Sequence, residues 1–159
     1  MTKLLLSVHV LAAILAIGPI AVAASLFPRY AGGRGDGAGA DPGGRAPQIA
    51  AFLHRTCRAY TVVGVIVPAF GLATGAQLGV LTDAWLITSI ALTAIAAALL
   101  AFVILPGQQR LLASAQATAV ESGTRAAASR LAMTTGIFNV LWAVVVVLMI
   151  VRPGSTTGV

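Results

Sequence analysis

One histidine is better placed for chemistry than any other residue of this sequence. His9 lies within an apolar run, and at helical spacing it shares a face with Ala12, Ala13 and Ala16. Such small side chains are typical of helix faces that pack inside a membrane bundle. A neutral imidazole on this face can hydrogen-bond to another helix, or it can ligate haem iron or copper.

The role of His9 depends on which residues lie at its depth in the membrane. Five side chains from the other predicted spans are expected there: Thr74, Gln77, Thr88, Ser89 and Met149. One interpretation is a structural histidine that hydrogen-bonds to one of these hydroxyl or amide groups. The other is an axial ligand of haem b, or a copper ligand, with Met149 or the His9 of a second subunit as the other ligand.

The second histidine and the single cysteine lie in a different part of the chain. His54, Arg55 and Arg58 form a basic segment before the second span, where arginines set orientation and contact anionic lipid headgroups. Most of the bilayer core is expected to separate His54 from His9, so the two cannot share a ligand. Cys57 is expected to be a reduced thiol, and one cysteine per chain excludes an internal disulfide and a cysteine-based zinc site.

The composition places all these residues in a membrane. Of the 159 residues, 58% are apolar and 9% are charged, whereas about 25% are charged in soluble domains. The sequence predicts an all-α, polytopic membrane protein, a single domain that forms a four-helix transmembrane bundle. The predicted spans cover residues 4–26, 59–81, 85–105 and 131–151.

The connections between the predicted spans are rich in glycine, alanine and polar residues. Residues 32–47 contain seven glycines and predict a flexible loop. Residues 48–58 and 108–130 predict amphipathic cytoplasmic segments, and the first of these runs directly into the second span as one helix. The pair Pro106 and Gly107 is expected to end the third span.

The basic residues predict the orientation. The two long connections carry eight arginines, while the opposite side carries only Lys3 and Arg152. Because basic residues concentrate on the cytoplasmic side, we expect both termini outside, in a multi-pass protein of the cell inner (plasma) membrane. The net charge of +6 then reflects topology, and no nucleic-acid partner is expected. A signal peptide cleaved after residues 21–24 is the competing interpretation, but its apolar run exceeds the usual length of about 7–15 residues.

Packing signals occur in the second and fourth spans. Gly71, Gly75 and Gly79 recur at four-residue intervals and predict close packing against another span. A homodimer seam or docking onto a larger membrane complex is the alternative. Asn139 is expected to hydrogen-bond to another span. The interiors of the spans lack acidic residues, which argues against proton- or cation-coupled transport.

Two short segments carry a family resemblance. They are the run HVLAAILAIGP, which begins at His9, and the run FPRY, which begins at Phe27. With four spans and arginine-bearing inner loops, the chain resembles a bacterial family of predicted integral membrane proteins of unknown function. That family is distantly similar to copper-resistance protein D and to the membrane protoporphyrinogen oxidase of haem synthesis. The resemblance implies a haem or metal role for His9 and a structural role for Pro28 and Arg29.

Two hypotheses about function follow. We find no catalytic signature in the sequence, so the first hypothesis is a non-enzymatic membrane protein that acts as a packing or accessory subunit. The second is a haem b or copper binding membrane protein that uses His9, with Met149 as a candidate second ligand. The lipid bilayer is the expected partner in both.

Overall fold

The structure of the protein is a computed structural model that describes residues 2–32, 45–116 and 121–154. These residues contain helices and no strands. The elements are α1 (Thr2–Ala31), α2 (Ala46–Leu78), α3 (Ala84–Ala98), a π-helical segment (Leu99–Ile104), α4 (Leu105–Gln116) and α5 (Glu121–Val151).

Four stretches of these helices are long and apolar enough to cross a membrane. They are Leu6–Ala31, Ala46–Leu78, Ala84–Ser114 and Gly123–Val151. Large apolar side chains point outward along them, such as Phe102 at 79% exposure and Ile150 at 71%. A soluble protein would leave such surfaces in water, whereas here lipid chains cover them. The prediction of an all-α integral membrane protein with four spans is therefore confirmed.

The tightly packed core lies at one end of the bundle. It is formed where α1 ends, α2 begins, α4 follows the π segment and α5 begins. Its members include Ile20, Ala24, Phe27, Leu53, Ile104, Leu111, Leu131 and Phe138. The described arginines of the predicted inner connections, such as Arg29, Arg55 and Arg130, flank this end. His9 and Gly71 lie towards the opposite end, between α1 and α2.

Helix α2 has recognisable signals at both ends. Pro47 lies in its first turn, where the missing backbone N–H of proline costs no hydrogen bond. Gly79 caps its C-terminus with φ of 68°, a left-handed conformation that glycine adopts without strain. The predicted amphipathic segment 48–58 and the second span thus form one helix. Most of the predicted flexible loop, residues 33–44, lies outside the described residues.

The third helix does not end at Pro106 and Gly107, contrary to the expectation from sequence. It passes through the π segment into α4, and Leu105 N–H donates to the Leu100 carbonyl, five residues earlier. A proline inside a regular α-helix clashes with the preceding turn. The wider π turn lies directly before Pro106 and accommodates the ring. The predicted segment 108–130 is therefore divided between α4 and α5, and residues 117–120 lie outside the described part.

Candidate functional site

His9 lines a cleft between α1 and α2. The cleft has a volume of about 700 Å³. Its walls are mainly apolar, with Ala12, Ala16 and Pro19 on the α1 side and Ile66, Val67 and Phe70 on the α2 side. His9, Tyr60 and Thr74 add polar atoms to this lining. The site is therefore an apolar cleft with one imidazole in its wall.

Gly71 makes room for the His9 ring. A Cβ atom on Gly71 would lie only 2.8 Å from His9 Cε1 and 3.4 Å from Nε2. The first distance is much shorter than ordinary van der Waals contact and the second lies at its lower limit, so any larger residue at this position would displace the imidazole. Gly71, the first glycine of the predicted stripe, thus provides the space that the His9 ring of α1 occupies.

The nitrogens of His9 have unequal surroundings. The ring lies beside the backbone of Val67, four residues before Gly71 in α2. Nδ1 is buried and has no hydrogen-bond partner among the described residues. The hydroxyls of Thr74, Thr88 and Ser89, expected as possible partners, donate instead to backbone carbonyls four residues earlier in their own helices. One polar ring atom of His9 is therefore unsatisfied.

The other two glycines of the stripe have different environments. A Cβ atom on Gly75 would lie 3.0 Å from Leu86 Cδ2 of α3, so this glycine lies in a close α2–α3 contact. Gly79 has no neighbour within 4 Å of that position. Gly79 lies directly after α2 and caps its C-terminus.

Met149 lies at the C-terminal end of α5 and is not among the residues that line the cleft. Its carbonyl accepts a hydrogen bond from Arg152 Nε at 3.3 Å. The Arg152 guanidinium lies 5.6 Å from the ring centre of Trp85, within cation–π range. In the described part of the chain, no group of three His, Cys, Asp or Glu side chains could hold a metal ion. The structure therefore does not join Met149 to His9 in one site.

A second polar cluster is buried in the core. His54 Nδ1 donates to Gln108 Oε1 at 2.9 Å, and Gln108 Nε2 contacts Cys57 Sγ at 3.6 Å. Cys57 Sγ lies 3.9 Å from the carbonyl oxygen of Ile20. Gln108 and Cys57 are fully buried, and His54 is 9% exposed. The cluster joins α4 to α2 and reaches the backbone of α1.

This cluster could not be predicted from the motifs of the sequence. From the sequence, His54 is expected with the arginines on the polar face of a juxtamembrane helix, and Gln108 on a surface segment. The structure instead buries Ala50, Leu53, His54 and Cys57 on one face of α2, at spacings of three and four residues, and leaves Phe52 66% exposed. That spacing is the signal that could have identified the buried face.

No protein-family model, curated protein or solved structure matches this chain. The family resemblance carried by His9 and Phe27–Tyr30 therefore remains a prediction.

The remaining candidate residues lie on other surfaces of the bundle. Asn139 Nδ2 of α5 donates to Ser25 Oγ of α1 at 3.0 Å, which links two spans. Arg55 and Arg58 are exposed in the first half of α2, towards the end that holds the core. This placement is compatible with contact to lipid headgroups, which stays a prediction.

Proposed function

We propose that this integral membrane protein binds haem b in the α1–α2 cleft, with His9 as the protein ligand. The observation that carries the proposal is His9 Nδ1, a buried nitrogen without a hydrogen-bond partner in the described structure, on a residue that lines an apolar cleft of about 700 Å³. An apolar cleft with few, localised polar groups is the usual form of a cofactor site. The resembled family's distant similarity to protoporphyrinogen oxidase implies a haem or metal role for the same residue.

The donor atoms of the cleft fit haem better than copper. Porphyrin supplies four ligands of haem iron, so one or two protein ligands complete the site. A copper ion takes its ligands from the protein, typically two histidines with a cysteine or methionine. The described lining supplies one imidazole, with Tyr60 and Thr74 as oxygen-bearing neighbours. A second axial ligand, where one is used, comes from a second copy of the chain, since Met149 does not line the cleft.

The chain's own residues determine how the imidazole is presented. Gly71 leaves room for the ring beside α2, and Ala12 and Ala16 leave room in the cleft. Nδ1 is covered by protein in this conformation, so the ring must turn towards the cleft to use that atom as a ligand. Haem bound at such a site supplies electron transfer or oxygen chemistry.

The visible spectrum of the purified full-length protein tests this proposal. We expect protein from haem-replete cells to show a Soret band that is lost in His9→Ala and retained in Gln77→Ala, a control at an exposed polar residue of α2 that does not line the cleft. Ala12→Phe fills the cleft without removing the ligand and should also weaken the band. A colourless wild-type protein from haem-replete cells, or a band that persists in His9→Ala, would refute the proposal.

A packing or accessory role is the second candidate function. The contact between His9 and Gly71 favours it, because an imidazole that fills a glycine-sized hole holds α1 against α2. In this case the protein is colourless, and His9→Ala lowers its thermal stability without any spectral change. The visible spectra and melting temperatures of the wild type and His9→Ala therefore distinguish the two candidate functions.

A further inference from the structure

A second cavity, here called the crevice, lies between α4 and α5. It shares no lining residue with the His9 cleft. It has a volume of about 710 Å³. Arg110 and Arg130 line it from opposite helices, together with the hydroxyl-bearing residues Ser114, Thr124 and Thr134. The Ser114 and Thr134 hydroxyls donate to the backbone carbonyls of Leu111 and Arg130. The two guanidinium groups and the Thr124 hydroxyl remain as donors suited to an anion with phosphate geometry.

The polarity of this crevice changes along its length. Gly107 and Leu131 face each other closely, since a Cβ on Gly107 would lie 3.1 Å from Leu131 Cδ1. Because α4 and α5 run in opposite directions here, Val103 lines the part nearer the middle of the spans, and Ser114 and Thr124 line the part nearer the helix ends. The crevice is therefore mainly apolar near Val103 and Leu131, and polar and basic near Arg110 and Thr124. This combination matches an amphiphile better than a free anion.

The positive charge of the crevice is not neutralised by the described protein. Neither Arg110 nor Arg130 has a hydrogen bond or ion pair through its side chain within the part of the chain that the structure describes. The acidic side chain that the structure does describe, Asp83, accepts a hydrogen bond from Trp85 Nε1 at 3.0 Å, in the turn before α3. Among the described side chains, the two arginines therefore have no acidic partner, which is compatible with binding of an external anion.

We propose that this crevice binds an anionic phospholipid. Its phosphate lies between Arg110 and Arg130, the Thr124 hydroxyl contacts the rest of the headgroup, and an acyl chain extends towards Val103. This site is independent of the proposed haem site and differs from the exposed arginines of α2, because it is a crevice formed by two helices.

Native mass spectrometry of the full-length protein in detergent tests the proposal. Dioleoylphosphatidylglycerol is titrated against dioleoylphosphatidylcholine, with Arg110→Gln, Arg130→Gln and the control Arg125→Gln. Arg125 is an exposed arginine of α5 that does not line the crevice. We expect each crevice variant to weaken phosphatidylglycerol binding roughly fivefold, which corresponds to about 1 kcal/mol per basic residue at a membrane surface. The control should bind like the wild type.

Three results would overturn the proposal. Equal binding of the two lipids would remove the requirement for an anionic headgroup. An equal loss in Arg125→Gln would indicate general surface charge instead of a site. Displacement of the lipid by millimolar inorganic phosphate would assign the crevice to a free anion. Because Arg110 and Arg130 are exposed, thermal melting of both variants should match the wild type, and this measurement verifies that the fold is intact.

Discussion

His9 and Gly71 depend on each other at the scale of single residues. The ring occupies the volume that a side chain would need, at 2.8 Å from the position of a Cβ atom on Gly71. In lipid, helices associate through close packing and hydrogen bonds because no hydrophobic force drives them together. The contact therefore contributes to α1–α2 association in the described conformation.

Gly71→Ala is expected to lower the free energy of unfolding by about 1–3 kcal/mol, the usual cost of overpacking a well-filled site. The added methyl group collides with His9 Cε1 and forces the ring to move. Thermal or denaturant unfolding in detergent measures the change. Gly18→Ala is the matched control, because Gly18 is also helical and no atom lies within 4 Å of its added Cβ.

A double-mutant cycle assigns the effect to the imidazole. In the His9→Ala background the methyl group has space, so Gly71→Ala should cost much less there than in the wild type. An equal cost in both backgrounds would mean that the destabilisation arises elsewhere in α2, and it would contradict the proposed contact.

At the scale of helices, the buried polar cluster fixes α4 against α2. α4 carries few apolar residues, yet Gln108 is fully buried because His54 and Cys57 satisfy its amide. A buried polar group is retained at low cost only when it is hydrogen-bonded. The cluster thus determines which face of α4 points inward, and it does so at the end where the core is densest.

Gln108→Leu is expected to destabilise the protein by about 1–3 kcal/mol, because His54 Nδ1–H loses its acceptor in a buried site. Gln109→Leu is the control on the same helix: Gln109 is exposed, so its change should stay within about 0.5 kcal/mol. The double variant His54→Leu with Gln108→Leu removes both polar partners and should recover part of the loss. Equal melting temperatures for the two single variants would show that the cluster contributes no stability.

The helices could be predicted from the sequence to a larger extent than the sites. The composition predicts four long apolar segments. Each forms a helix, because a helix satisfies the backbone hydrogen bonds of a membrane-spanning segment within the segment itself. The continuation through Pro106 could not be predicted, since it depends on a π turn that tertiary packing stabilises. The burial of Gln108 depends on a partner 54 residues away in the chain, and no local pattern indicates it. The position of His9 on an inward-packing helix face could be predicted, because the small residues on that face lie within two turns of it in the sequence.

At the scale of the whole molecule, packing and charge are asymmetric in the same direction. The dense core lies where α1 ends and α2 begins, and the described arginines of the predicted inner connections flank that end. The opposite end holds the His9 cleft and the short turn between α2 and α3. If basic residues face the cytoplasm, the proposed haem site lies in the outer half of the membrane and the lipid crevice faces the inner leaflet.

Cysteine labelling tests this orientation. Cys57 is the only cysteine and is fully buried, so a Cys57→Ser background provides a cysteine-free protein. Thr82→Cys lies exposed in the α2–α3 turn, and Gln109→Cys lies exposed on α4. With eight arginines on one side and two basic residues on the other, we expect a membrane-impermeant maleimide to label Thr82→Cys in intact cells and Gln109→Cys only after permeabilisation. The reverse pattern would place both termini in the cytoplasm and move the His9 cleft to the inner half of the membrane.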